Sequence, residues 1–175
     1  MDLKKYIRSV KDYPKKGILF RDITTLIKNR EAFKETINQM CNILLKMNYD
    51  KIAAIESRGF IFASALSYNL SKSLILMRKK NKLPAERYSV EFELEYGKSV
   101  IEIHKDSIKS GEKVVIVDDL LATGGTAEAG AKLVEKSGGQ VSAFLFAINL
   151  FDLGGKKLLD DKGYKNFSLM DFPGH

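Results

Sequence analysis

An α/β domain with a mostly parallel, twisted sheet flanked by helices is what the sequence predicts, and three observations predict it. Four consecutive β-branched residues, Val114-Val115-Ile116-Val117, suit a central strand buried on both faces. Strand-length apolar runs alternate with segments of helical spacing between Arg30 and Leu150. Between Lys79 and His104 that rhythm gives way to apolar/charged alternation, which predicts an antiparallel hairpin laid over the sheet edge.

The elements follow in order. From Arg30 to Met47, Phe33, Ile37, Met40, Leu44 and Met47 recur at steps of three and four, predicting an amphipathic helix with Asn29 as N-cap. Lys51 to Ile55 reads as a short buried strand, Glu56-Ser57-Arg58-Gly59 as the turn after it, and Phe60 to Leu70 as a second helix. Leu74 to Met77 is strand-like. Val90 to Tyr96 alternates strictly, so the 79–104 insertion at the ligand end of the sheet is a candidate flexible lid. After the Val114–Val117 strand, Thr126 to Lys136 is helical, Gly138-Gly139 stops it, and Val141 to Leu150 is the next strand.

The 175 residues, 45% of them hydrophobic, fit one domain. No stretch reaches the roughly 18 to 20 apolar residues that cross a bilayer, and the charged start, Met1 to Arg8, lacks the apolar run of a secretory signal. Cys41 is the single cysteine, so no internal disulfide forms, and a cytoplasmic protein is expected. The net charge of +7 suits nucleic acid, a membrane surface or a small polyanion alike. No helix-turn-helix segment is added and the aromatics are not interleaved with a basic stripe, so neither a nucleic-acid nor a membrane partner is expected.

The chemistry concentrates in Val114 to Ala127, where a buried strand ends in Asp118-Asp119 and a turn containing Thr123-Gly124-Gly125-Thr126 opens a helix. Helix N-terminal amides are unpaired and carry about half a positive charge, so the turn is a phosphate site. The glycines admit the anion closely and the threonines add donors. The paired acids cannot bind phosphate, which leaves sugar hydroxyls or a hydrated magnesium ion as their partners. Neither a Walker A loop nor the G-x-G-x-x-G fingerprint is present.

Val117-Asp118-Asp119-Leu120-Leu121-Ala122-Thr123-Gly124-Gly125-Thr126 resembles the phosphoribosyl pyrophosphate (PRPP) motif of type I phosphoribosyltransferases, in the form found in the adenine-specific members. Four further blocks fall in the matching order: Gly17 to Thr24, Glu56 to Phe60, Arg78 to Pro84 and Leu94 to Lys98. The resemblance runs from Tyr13 to Asn149 and implies transfer of a phosphoribosyl group from PRPP to adenine, with Mg²⁺ and a homodimer.

By this resemblance, Ala122, Thr123, Gly124, Gly125 and Thr126 hold the 5-phosphate, while Asp118 and Asp119 meet the ribose hydroxyls. Ser57 and Arg58 form the pyrophosphate loop, with a cis peptide at Glu56-Ser57. Arg78, Lys79 and Lys82 reach pyrophosphate, from the neighbouring subunit of the dimer, with Lys80 a bystander; read in isolation, Arg78-Lys79-Lys80 is better taken as a solvated charge run. Glu95 serves the base and its proton, and Tyr96 closes over the sugar; alternation by itself does not separate Glu95 from Glu91 and Glu93. Leu19, Phe20 and Arg21, in the N-terminal segment of about residues 1–30, receive adenine, with Phe20 stacking and the Leu19 and Arg21 backbone reading its edge; Asp22 is structural. Magnesium is held by PRPP and water rather than by side chains.

Lys16 stands where the family has proline, Thr25 replaces another, and Ala85 to Phe92 matches loosely. Two other functions stay open: transfer to hypoxanthine, guanine or xanthine, and a PRPP-sensing regulator that binds nucleic acid.

Overall fold

The computed structural model describes residues 1–94 and 97–175, and Glu95 and Tyr96 lie outside the described residues. After a short 3-10 helix (Leu3–Tyr6) come a small hairpin, β1 (Arg8–Lys11) and β2 (Leu19–Asp22), and a single helical turn, α1 (Thr24–Ile27). Then come α2 (Arg30–Leu44), β3 (Lys51–Ile55), α3 (Gly59–Leu70), β4 (Ser73–Lys79), β5 (Arg87–Leu94) and β6 (Gly97–His104). The chain closes with β7 (Lys113–Leu121), α4 (Gly125–Lys136), β8 (Gln140–Leu150), α5 (Gly155–Asp161) and β9 (Asn166–Phe172).

Seven strands form one sheet in the order β5-β6-β4-β3-β7-β8-β9. β4, β3, β7, β8 and β9 are mutually parallel. The hairpin does more than lie over the edge: β6 pairs antiparallel with the end of β4, Arg78 opposite Glu102 and Lys79 opposite Ile101, so β5 and β6 extend the sheet. β5 also packs along α4, where the Lys136 ammonium donates to the Ser89 carbonyl at 3.3 Å.

The expected central strand holds. Val114 to Val117 are fully buried, β7 lies between β3 and β8, and side chains of alternate parity enter opposite cores. On one face Val115 and Val117 join Phe62 and Leu66 of α3 and Met40 and Leu44 of α2; on the other Val114 and Ile116 join Leu133 and Val134 of α4. Asn29 caps α2 by accepting the Ala32 amide at 2.9 Å. That helix stops at Leu44 rather than Met47, because the amides of Lys46 and Met47 turn back to Ile43 and Leu44 in tighter i→i−3 bonds. Among the described residues, no helix is long and apolar enough to cross a membrane.

Candidate active site

The connections after β3 and β7, two neighbouring parallel strands, leave toward opposite faces of the sheet, into α3 and α4. A crevice opens beyond strand carboxyl ends where the winding reverses, and both predicted turns lie there. Two adjoining cavities result, of about 410 Å³ and about 440 Å³, with Arg58, Leu120, Ala122 and Thr123 in the lining of both.

The first cavity is polar. Ser57, Arg58, Lys79, Asp118, Asp119 and the whole Ala122 to Thr126 turn border it. Strand β7 runs on to Leu121, so the two aspartates belong to the end of the strand rather than to the turn. Asp119 is 3% exposed, and one of its oxygens lies 2.8 Å from Arg58 Nε. Its amide donates to Asp118 Oδ1 at 2.8 Å. Burial and then the neighbouring Asp119 charge push the Asp118 carboxyl well above the usual carboxylate range. Burial raises Asp119 also, against the opposing pull of Arg58. Gly59 lets α3 start hard against this strand: a Cβ there would stand 2.9 Å from both Asp118 Oδ1 and the Val117 carbonyl.

The Ala122 to Thr126 turn carries a glycine at the helix start in the left-handed region. Gly124 occupies the N-cap of α4 with φ +91° and offers no side chain to cap it. The first amides of the helix therefore have no intrahelical acceptor and face the cavity. Arg58 at the N-cap of α3 makes no side-chain cap either, so two helix N-termini border one cleft. The Glu56–Ser57 peptide is cis, as the resemblance implied.

Gly155 props the turn from behind. Its amide donates to the Ala122 carbonyl at 3.0 Å, and a Cβ would collide with that oxygen and sit 2.9 Å from Leu121 Cδ1. Sequence reasoning missed this residue, although the Gly154-Gly155 pair after a strand was a visible turn signal.

The second cavity is lined by Leu19, Phe20 and Arg21 together with Leu150, Leu153, Gly174 and His175, which sequence reasoning did not reach. Tyr13 packs edge-on to Phe20 with ring centroids 5.2 Å apart, and the Arg58 guanidinium lies 5.3 Å from the Phe20 centroid. Arg21 is 6% exposed, and its side chain donates to Ser9 Oγ and the Pro173 carbonyl. Asp22 accepts from Arg8 Nε at 2.9 Å and from the Thr24 amide at 2.8 Å, a structural role. The Thr24 amide, and then Arg8, hold its carboxyl down at about 2.

Two expected cations are not brought to the cavity of their own chain. Arg78 Nε lies 3.3 Å from Glu56 Oε2 and its Nη1 donates to the Lys82 carbonyl, while Lys82 is exposed; of this stretch only Lys79 borders the cleft. No group of three or more His, Cys, Asp or Glu side chains suited to a metal occurs among the described residues. Cys41 is half-buried against the α2 side of the core, in keeping with packing.

The phosphoribosyl transferase domain model matches residues 21–171. An adenine phosphoribosyltransferase of Pelagibacter ubique is 67% identical over 175 residues, the whole of both chains. The crystal structure of the adenine phosphoribosyltransferase from Thermoanaerobacter pseudethanolicus superposes with a TM-score of 0.94 at 49% identity, covering 98% of each chain. That of Saccharomyces cerevisiae, complexed with an imino-altritol bisphosphate and adenine, gives 0.88 at 33% identity, over 95% of this chain and 96% of that one. With its fold and its whole length matched, the chain belongs to the phosphoribosyl transferase family, among the adenine phosphoribosyltransferases.

Proposed function

We infer that this chain transfers the 5-phosphoribosyl group of PRPP to adenine, giving AMP and pyrophosphate, the chemistry of purine salvage. It is a pentosyltransferase. The observation that carries the residue assignment is the pair of adjoining cavities, one floored by uncapped helix amides and two aspartates, the other walled by Phe20.

The 5-phosphate rests on the amides and hydroxyls of Ala122 to Thr126 at the start of α4. Asp118 and Asp119 accept the ribose hydroxyls and place negative charge beside the anomeric carbon. Breaking the C1–O bond gives a transition state of oxocarbenium character, which that charge favours. Arg58, Ser57 and the α3 N-terminus receive the departing pyrophosphate, helped by Lys79. Adenine lies against Phe20, its edge read by backbone groups of Leu19 and Arg21. Glu95 takes the proton adenine loses as the new N-glycosidic bond forms, and Tyr96 closes over the sugar; both rest on the family resemblance.

Asp118 and Asp119, which border the pyrophosphate cleft, suit a Mg²⁺ ion carried in on PRPP and water. Bound there, Mg²⁺ would supply neutralisation of the charge that builds on pyrophosphate.

The same reading assigns residues 1–30 to the base, 79–104 to a lid, and the working unit to a homodimer in the cytoplasm. The exposed apolar side chains of Ile61 and Tyr68 of α3 and Leu76 of β4 support the dimer. Arg78 and Lys82, which do not border the cavity of their own chain, would then serve the partner. Sedimentation at several concentrations tests the dimer, and cell fractionation the compartment. For the activity, the purified chain is incubated with PRPP, Mg²⁺ and each purine base in turn. AMP formed from adenine is expected; preference for guanine or hypoxanthine, or salt-dependent nucleic-acid binding without turnover, would overturn it.

A further inference from the structure

We propose that the segment following β9, residues 173–175, forms a working wall of the base cavity, and that the buried guanidinium of Arg21 positions it there, making this segment a determinant of base specificity. The proposal rests on the assignment of the second cavity to adenine.

Arg21 is an unusual residue to bury, because an arginine loses much hydration on leaving water and is almost never enclosed unpaired. Here it is 6% exposed, on β2, whose residues Leu19, Phe20 and Arg21 line the base cavity. Its Nη2 donates to the Pro173 carbonyl at 2.7 Å, its Nη1 to Ser9 Oγ, and its Cζ lies 4.8 Å from the Phe172 ring centroid. The guanidinium thus joins β1, β2 and the segment after β9 in one clamp. From the other side, the Gly174 amide donates to Asp152 Oδ1 at 2.6 Å. Gly174 sits so close to Leu153 that a Cβ would fall 2.5 Å from its Cγ.

Held between Arg21 and Asp152, Gly174 and His175 border the cavity together with Leu19 and Phe20. The Arg21 side chain therefore couples the backbone that reads the base to another wall of the same cavity. A pocket that discriminates purines by fixed backbone groups needs a fixed width, since a small misplacement spoils hydrogen-bond geometry. Arg21 acts through its neighbours, so its side chain is a positioning group. Residues 174–175 are the ones placed to touch the base.

The test compares the full chain with R21K, D152A, F20A and a variant ending at Phe172. The readouts are KM for adenine, KM for PRPP, kcat, and the ratio of kcat/KM for adenine over hypoxanthine. Ending the chain at Phe172 is expected to raise the adenine KM about tenfold and lower the ratio, leaving the PRPP KM within about twofold. D152A, on an exposed loop, is expected to raise the adenine KM about threefold in the same pattern, and serves if the other variants fail to fold. R21K keeps the charge but loses the planar fork, and should fall between them. An unchanged adenine KM in D152A and the shortened variant, or a parallel rise in the PRPP KM, overturns the proposal. F20A separates the two levels. If it raises the adenine KM while the shortened variant does not, only the wall is refuted; if neither moves it, the cavity assignment falls as well.

Discussion

Arg58 and Asp119 are joined by a 2.8 Å contact from Nε to a carboxylate oxygen, and that contact lies where the two cavities meet. The same guanidinium lies 5.3 Å from the Phe20 ring centroid, so one side chain touches the acid proposed for the sugar and the ring proposed for the base. Asp119 is buried while Arg58 is partly open to the cleft, which leaves the arginine free to turn part of its fork toward an anion.

Replacing Arg58 tests that position. Arg58→Ala is expected to lower kcat/KM for PRPP on the order of 100-fold, the worth of a charge-assisted contact in a dry site. It should also move the acid limb of the pH–rate profile to higher pH, because Arg58 opposes the upward push on Asp119. Steady-state rates from acid to neutral pH check both. A loss under twofold with an unmoved limb would reduce Arg58 to a surface ion pair.

Asp118 should show a conflict between stability and function. Burial makes its native carboxyl hold the proton more tightly than in the unfolded chain. Between the ordinary carboxylate range and the raised value the native state therefore binds more protons, and stability falls as pH rises through that window. Asp118→Asn removes this penalty. Its unfolding midpoint is expected to exceed the parent's by a margin that widens with pH, roughly 2 to 4 °C for each kcal/mol recovered, while PRPP turnover drops. Calorimetry over a pH series measures it; a variant destabilised at every pH would contradict the account.

Glu102 anchors the hairpin with the opposite sign. It is 2% exposed and accepts from the Asn81 amide at 2.9 Å and the Ser89 hydroxyl at 3.0 Å, with Arg87 Nε 3.0 Å away. Burial pushes this carboxyl up, but the three donors outweigh it and the net displacement is downward. Its contribution is present above the ordinary carboxylate range and is lost as pH falls through the lowered value. Glu102→Gln should cost about 1 to 3 kcal/mol in denaturant unfolding at neutral pH, and the deficit should shrink in acid. A deficit that stays constant across that range would show the charge to be idle.

Gly155 and Gly163 make a controlled pair. Both are glycines beyond the main core, but only Gly155 presses on the phosphate turn; a Cβ on Gly163 meets nothing within 4 Å. Gly155→Ala is expected to cost about 1 to 3 kcal/mol by overpacking and to raise the PRPP KM. Gly163→Ala, strained only by its φ of +78°, should cost about 1 kcal/mol and leave the KM alone. Equal KM values in the two variants would remove the supporting role of Gly155.

The parts of this fold that could be read in the sequence are those where burial leaves a long, regular signature. Val114 to Val117 announced β7, and Ile37, Met40 and Leu44 announced α2, because each carries its periodicity over a full element. α5 spans only Gly155 to Asp161, too short for a helical repeat, and β9 interrupts its apolar positions with Asn166, Ser168 and Asp171. Asp118 and Asp119 could be found from their place before the glycines. The continuation of the strand beyond them to Leu121 could not, since pairing of Leu120 with Ile148 and Leu121 with Asn149 of β8 decides it. Gly174 and His175 reach the second cavity only through the register of β9 on β8, a contact between distant segments that local spacing does not encode.

The amides at the start of α4 have one more consequence. A peptide N–H neither gains nor loses a proton over any range in which the chain stays folded, unlike a lysine or a histidine. Whatever anion they hold is gripped equally in mild acid and mild alkali, apart from its own ionisation. Acid sensitivity in this enzyme is thereby assigned to carboxyl groups and to the substrates, and the cradle itself stays indifferent to it.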